Sequence, residues 1–199
     1  MIAFLAVAAA YLVGSIPFAV VVSRAMGLPD PRSFGSGNPG ATNVLRSGSK
    51  AAAVLTLAGD ALKGWVPVWA AIGLGLAEEV VAAVALAAFL GHVFSVWLRF
   101  RGGKGVATAA GAILALDWRV GAAALFTWLA VVLATRYSSL GSIVAAIVAP
   151  AAVYGWRGPG ALLAATCAMC AVLLWRHEGN IRKLLRGEES RIGEKKAAT

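Results

Sequence analysis

The chain is short of charge, cysteine and histidine, and each shortage excludes something. Only 14% of its 199 residues are charged while 60% are hydrophobic, and the mean hydropathy is +0.79. A soluble domain of this length cannot bury that much apolar side chain, so the chain belongs in a bilayer. His92 and His177, with Cys167 and Cys170, are the whole stock of soft ligands, and no His/Cys/Asp/Glu set stands at metal-ligand spacing, so no metal is expected. The two cysteines form a Cys-x-x-Cys inside an apolar run with no histidine nearby, which suits helix packing better than redox or zinc chemistry. No His-x-x-x-x-Asp is present: Trp97 and Arg182 occupy the place of the acid after His92 and His177. The loops hold no Ser-His-Asp set. Gly-x-x-x-x-Gly-Lys-Ser/Thr is also missing, which excludes a nucleotide-binding loop, and no cofactor is expected. Without internal repeats, low-complexity tracts or linkers, residues 1–187 read as a single integral membrane domain, and 188–199 as a flexible polar tail.

What is present is a series of apolar runs. Runs 1–23, 80–98, 137–156 and 158–175 are uncharged and close to the ~20 residues that cross a hydrocarbon core as helix. Run 51–77 is long enough but carries Asp60 and Lys63; 120–135 is slightly short; 106–116 is too short to cross unaided. The expected fold is an all-α membrane protein, a polytopic bundle of about seven transmembrane helices, some short, with active-site loops at the cytoplasmic face. The first run lacks a basic stretch before it and reads as a first span, not a cleaved signal.

The net charge of +9 follows topology and does not call for nucleic acid. With 24–50 placed inside, that segment holds four basic residues, 99–105 three, Arg136 one and the tail from Arg176 seven, fifteen of the eighteen Lys and Arg. The N-terminus is then outside and the C-terminus inside a bacterial plasma membrane. After Trp175, Ile181, Leu184 and Leu185 recur at helical spacing with Arg182, Lys183 and Arg186 between them, the pattern of an interfacial amphipathic helix.

Three inside segments are dense in glycine and polar side chains. In the first, Phe34 to Arg46, Gly35, Gly37 and Gly40 allow close backbone approach while Ser36, Asn38, Thr42, Asn43 and Arg46 offer hydrogen bonds, a combination suited to wrapping an oxyanion. In the second, Arg99-Phe100-Arg101-Gly102-Gly103-Lys104-Gly105 leads straight into the short 106–116 helix, so free amides and Lys104 together form an anion site. In the third, Arg136 to Ser142, the Ser142 hydroxyl either caps the next helix or donates to a bound phosphate. Asp60 and Lys63 share a helix face within a span, where each unpaired charge would cost roughly 2.5–3.5 kcal/mol, so they are expected to pair and to support the site from behind. His92 reads as a structural histidine of that support, whereas His177, beside Asn180 at the membrane surface, is the better site candidate.

Taken together, Gly14-Ser15-Ile16-Pro17, the Gly35–Arg46 loop, Gly59-Asp60-Ala61-Leu62-Lys63-Gly64, Gly91-His92, Phe100 to Thr108, Ser139-Leu140-Gly141-Ser142 and His177-Glu178-Gly179-Asn180-Ile181 resemble the PlsY family of acyl-phosphate:glycerol-3-phosphate acyltransferases. The resemblance covers about residues 14–188 and departs only where Phe94-Ser95-Val96 replaces a proline-containing stretch. It implies an inner-membrane enzyme that moves a fatty acyl group from acyl phosphate to the 1-hydroxyl of glycerol 3-phosphate, giving lysophosphatidic acid and phosphate. It implies Ser36, Lys104, the Gly102, Gly103 and Gly105 amides, Ser142, His177 and Asn180 around one phosphate. Gly37, Asn38, Asn43 and Arg46 would serve the other. Substrates and membrane lipid are the expected partners, with room for an acyl-phosphate-generating enzyme to dock on the tail. An organic-anion transporter is the competing reading, motivated by helix N-termini and a charged pair within the membrane, and weakened by the missing inverted repeat.

Overall fold

Residues 1–194 are described in a computed structural model. Among them the chain is entirely helical: α1 (Ile2–Gly14), α2 (Phe18–Ala25), α3 (Ala41–Leu45), α4 (Lys50–Gly73), α5 (Glu78–Val93, continued by a 3-10 turn Val96–Leu98), α6 (Val106–Leu116), α7 (Trp118–Thr135), α8 (Ser138–Arg157), α9 (Ala161–Arg176) and α10 (Glu178–Leu185). Four segments, Lys50–Gly73, Glu78–Leu98, Trp118–Thr135 and Ser138–Arg157, are long and apolar enough to cross a membrane alone.

The first run does not form one straight span. Gly14 to Pro17 break it, and α1 and α2 meet at a 44° bend. Pro17 has no N–H to continue the ladder, so carbonyls at the break lose their helical partners. Side chains from other helices replace them: Lys63 Nζ donates to Ile16 O at 2.6 Å and Ser95 Oγ to Ser15 O at 2.5 Å. Irregular backbone at this depth survives only because such donors exist. Lys63 also pairs with Asp60 at 2.7 Å, and both side chains are almost wholly buried, so the charged pair ties α4 to the break in the first run.

Helix α6 spans only about 16 Å at 1.5 Å per residue, half of a hydrocarbon core. It sits against α4, α5 and α7, with Thr108, Ala109, Gly111, Ala112 and Ile113 buried. The α4–α6 approach is backbone to backbone. A Cβ on Gly64 would lie 2.1 Å from Thr108 O, and one on Gly111 would lie 2.0 Å from Ala61 O. Small residues that permit such contact are the usual means of association between helices in lipid, where no hydrophobic force separates helix from solvent. Helix α9 ends at Arg176, and α10 turns away at 56° with exposed Arg182, Lys183 and Leu185. The short loops and alternating direction bring the end of α2, α3, the turn after α5, the starts of α6 and α8, and α10 to one end of the bundle.

Candidate active site

Lys104 stands at the foot of α6, half-buried, and its ammonium donates a short hydrogen bond to Asn180 Oδ1 on α10. The loop that carries it is held by main-chain bonds to the end of α5: Gly102 N donates to Val93 O at 3.0 Å and Gly103 N to His92 O at 3.2 Å. Both N–H groups, expected from the sequence to face a phosphate, are committed to main-chain carbonyls in this arrangement. Their lack of a side chain serves packing: a Cβ on Gly102 would lie 1.9 Å from His92 O, and one on Gly103 2.2 Å from His92 Nε2. Gly105 adopts φ +84° at the N-cap of α6, and its amide and that of Lys104 make no hydrogen bond among the described residues. These two N–H groups, at a helix N-terminus, remain for an anion. Just before the loop, Arg99 and Phe100 hold positive φ of 52° and 62°, conformations costing about 1–2 kcal/mol per residue that the neighbouring bonds must hold in place.

His92 lies beneath this loop. Its Nδ1 is 3.5 Å from Asp60 Oδ1, so the Asp60–Lys63 pair reaches the glycine loop through the imidazole. The expected pairing of Asp60 with Lys63 is present, and the arrangement suits a supporting part.

The first polar loop divides into residues that shape it and residues that face outward. Asn43 is buried, and its amide is fully used: Nδ2 donates to Pro31 O at 2.6 Å and Phe34 O at 3.2 Å, while Oδ1 accepts from Ser36 N at 3.0 Å. In this arrangement Asn43, expected from the sequence to meet a phosphate, braces the loop from inside. The Gly37 amide is likewise committed, donating to Phe34 O at 2.9 Å in a turn that needs φ +67°. The Ser36 hydroxyl and the Asn38 amide make no side-chain hydrogen bond among the described residues, and Arg46 donates only to Ser190 Oγ at 3.0 Å. Ser142 caps nothing; buried one turn into α8, it donates to Ser138 O at 2.9 Å.

His177 sits at the junction of α9 and α10, 2% exposed, its Nδ1 2.8 Å from Leu173 O. A carbonyl can only accept, so Nδ1 carries the proton and Nε2 is the free lone pair. Burial, assisted by the charges of Lys104 and Arg176, pulls its pKa down to about 4 and keeps the ring neutral near pH 7. Burial also lowers Lys104, to about 8, with Arg176, Lys183 and Arg46 pushing the same way and Glu189 opposing them.

Two groups absent from the sequence reading, Arg176 and Glu189, join this site. Arg176 donates from one terminal nitrogen to Gly102 O at 3.1 Å, while its Nε is buried without a partner. Glu189 accepts from Ser139 Oγ and from Asn180 Nδ2, both at 2.6 Å. The segment expected to be a free tail from 188 instead makes specific contacts as far as it is described: besides Glu189 and Ser190, Ile192 N donates to Arg136 O at 2.8 Å. Residues 195–199 lie outside the described residues. Only its charge and its position directly before His177 could have pointed to Arg176, and nothing in composition separates Glu189 from Glu188 beside it. Among the described residues, no group of three His, Cys, Asp or Glu is placed to hold a metal.

A helical membrane protein whose basic, glycine-lined end gathers unpaired cations is a binder of anionic substrates at the membrane surface. The glycerol-3-phosphate acyltransferase family model matches residues 4–187, and the chain belongs to that family. The glycerol-3-phosphate acyltransferase of Paraburkholderia phytofirmans is 57% identical over 193 residues, 95% of this chain and 90% of the relative. That of Cupriavidus necator is 57% identical over 192 residues, 94% of this chain and 95% of the relative. A crystal structure of PlsY (YgiH), an integral membrane glycerol 3-phosphate acyltransferase in its glycerol 3-phosphate form, matches with TM-score 0.92 at 40% identity, covering 97% of this chain and 96% of that one. Its lysophosphatidic acid form matches with TM-score 0.90 at 39% identity. The transporter reading gains no support from these relatives, all of them acyltransferases.

Proposed function

We propose that the protein transfers a fatty acyl group from acyl phosphate to the 1-hydroxyl of glycerol 3-phosphate, releasing lysophosphatidic acid and phosphate. The observation that carries this is Lys104 at the foot of a shortened, buried helix, with two uncommitted amides beside it and no carboxylate bonded to its ammonium. An apolar acyl tail fits the bilayer alongside α6, while its phosphate head meets these donors. Lys104, the Lys104 and Gly105 amides, Arg176 and Asn180 serve the acyl phosphate, together with Ser36 and Ser142 if their hydroxyls rotate toward it. Arg46 and Asn38 serve the glycerol 3-phosphate. Asp60, Lys63 and His92 support the loop from behind.

Acyl phosphate is a mixed anhydride with a good leaving group, so positioning and charge stabilisation do most of the work. The attacking hydroxyl needs only modest help in losing its proton. Neutral His177, with its pKa near 4, is too weak a base to be well matched at pH 7. A substrate phosphate, whose second pKa is about 6, suits the task better.

The excess of basic residues in these loops supports a site facing the cytoplasm from a bacterial inner membrane, with the N-terminus outside. An enzyme that makes acyl phosphate would have to deliver it here, against α10. Purified protein in detergent, given acyl phosphate and glycerol 3-phosphate, is expected to release phosphate and form lysophosphatidic acid in equal amounts. Substrate flux into liposomes without phosphate release would overturn the assignment.

A further inference from the structure

We infer that Glu189 is a positioning residue of the active site, holding the Asn180 amide in one orientation and supplying a carboxylate that steadies the positive charge of Lys104. The geometry permits a single reading of this chain of contacts. Lys104 is a donor only, so the Asn180 atom facing it is the carbonyl oxygen, and the ionised Glu189 is an acceptor only, so the Asn180 atom facing it is the NH2. Ser139 Oγ at the start of α8 gives the same carboxylate oxygen its second donor. Without Glu189, nothing holds the NH2 on the far side, and an amide turned about would bring the positive end of its dipole against the ammonium.

The effect on Lys104 follows from its neighbours. Arg176 at the end of α9, Lys183 on α10 and Arg46 after α3 all disfavour its charge, and His177 beside it is neutral, leaving Glu189 as the favourable partner. The segment after Gly187 is thereby part of the site and not an appendage. Glu188 N donates to Lys183 O at 2.8 Å just before Glu189, and just after it Arg46 donates to Ser190 Oγ, Arg191 Nε to Tyr137 Oη at 3.2 Å and Arg136 to Ile192 O at 2.7 Å, so the segment is fastened on either side of Glu189. This inference rests on the proposed function in taking Lys104 as the group that meets phosphate.

The test reads anion binding, not turnover. Sulfate keeps its charge across pH 6–10, so the pH at which its affinity falls reports loss of the proton from the binding cation. For the full-length protein, calorimetric titration with sulfate is expected to show affinity falling above about pH 8, the value for Lys104. In Glu189→Gln, which keeps the shape and an accepting oxygen but loses the charge, the inflection is expected about one pH unit lower. Glu189→Asp, which keeps the charge but draws it back by a methylene, is expected between the two, and it carries the test if the first variant does not fold. A merely structural role would lower the yield of folded protein and leave the inflection where it is. A wild-type inflection in either folded variant, or no sulfate binding by the wild type, overturns the inference. The same samples assayed for phosphate release separate the two readings: an inflection that moves in a protein without acyl transfer overturns the function alone.

Discussion

Both ends of the bundle carry arginine or lysine, yet the two at the far end, Arg119 and Arg157, are treated in the opposite way to those at the site. At the end away from the site, Arg119 pairs with Asp117 at 2.8 Å, and Arg157 reaches Glu78 at 3.3 Å and Asp117 at 4.0 Å, around a cleft of about 340 Å³. Every cation there has its acid, and nothing remains for a ligand. At the site end, Lys104 is bonded to a neutral amide, Arg176 to a carbonyl and Arg46 to a serine hydroxyl. These partners accept hydrogen bonds without cancelling charge. Positive charge left uncancelled beside free helix amides is what an anionic substrate needs, and its cost to the empty protein is recovered only when the anion arrives. A large cleft is therefore a poorer guide to function here than the partners of the cations.

Removing the central cation should break the contrast most completely. Lys104→Ala is expected to lower kcat/KM by about 10²–10³, the scale of losing one preorganised charge stabiliser. In the wild type, kcat/KM should decline above about pH 8, where Lys104 loses its proton, and hold from there down to about pH 6, below which the substrate phosphate is protonated. A flat alkaline limb up to pH 10 would show that Lys104 is not the charge that matters.

Next in size is the loop that aims this cation. Gly102→Ala would force a Cβ to within 1.9 Å of His92 O, so the backbone must shift. A displacement of about 1 Å of a positioning group can cost about 10² in rate, and that loss in kcat/KM is expected with the fold retained. Steady-state kinetics beside a thermal unfolding curve separates the two. His177→Ala should do less. If the substrate phosphate takes the proton, kcat falls by about tenfold, well short of the 10²–10⁴ of a lost general base. Complete loss of turnover with both substrates still bound would make His177 the base.

Much of this could be read from the order of residues, and the rest could not, for identifiable reasons. Hydropathy marks the spans because each helix must satisfy its own backbone in lipid, and the short α6 was visible as a run too short to cross. The break after Gly14 was not, although Pro17 is plain, because its satisfaction by Lys63 and Ser95 comes from helices far along the chain. Within the site, Lys104 and Asn180 meet as expected. Asn43, Gly37, Gly102 and Gly103 make internal hydrogen bonds that the order of residues does not reveal, because a polar or glycine residue that folds a loop looks the same in sequence as one that touches a ligand. Glu189 and Arg176 went unnoticed because they lie far along the chain from the glycine-rich segments and enter the site only through three-dimensional contact.

The smallest expected effect is the one that tests the far end. Arg157→Ala removes a cation that is 39% exposed and shared between Glu78 and Asp117. Exposed ion pairs contribute about 0–1 kcal/mol, and Asp117 keeps Arg119 as its partner, so stability should fall by no more than about 0.5 kcal/mol. Because this end holds no uncancelled charge for a substrate, kcat/KM should stay within about twofold of the wild type. A tenfold drop in the same assay would mean that the neutralised end communicates with the site, and the contrast between the two ends would no longer stand.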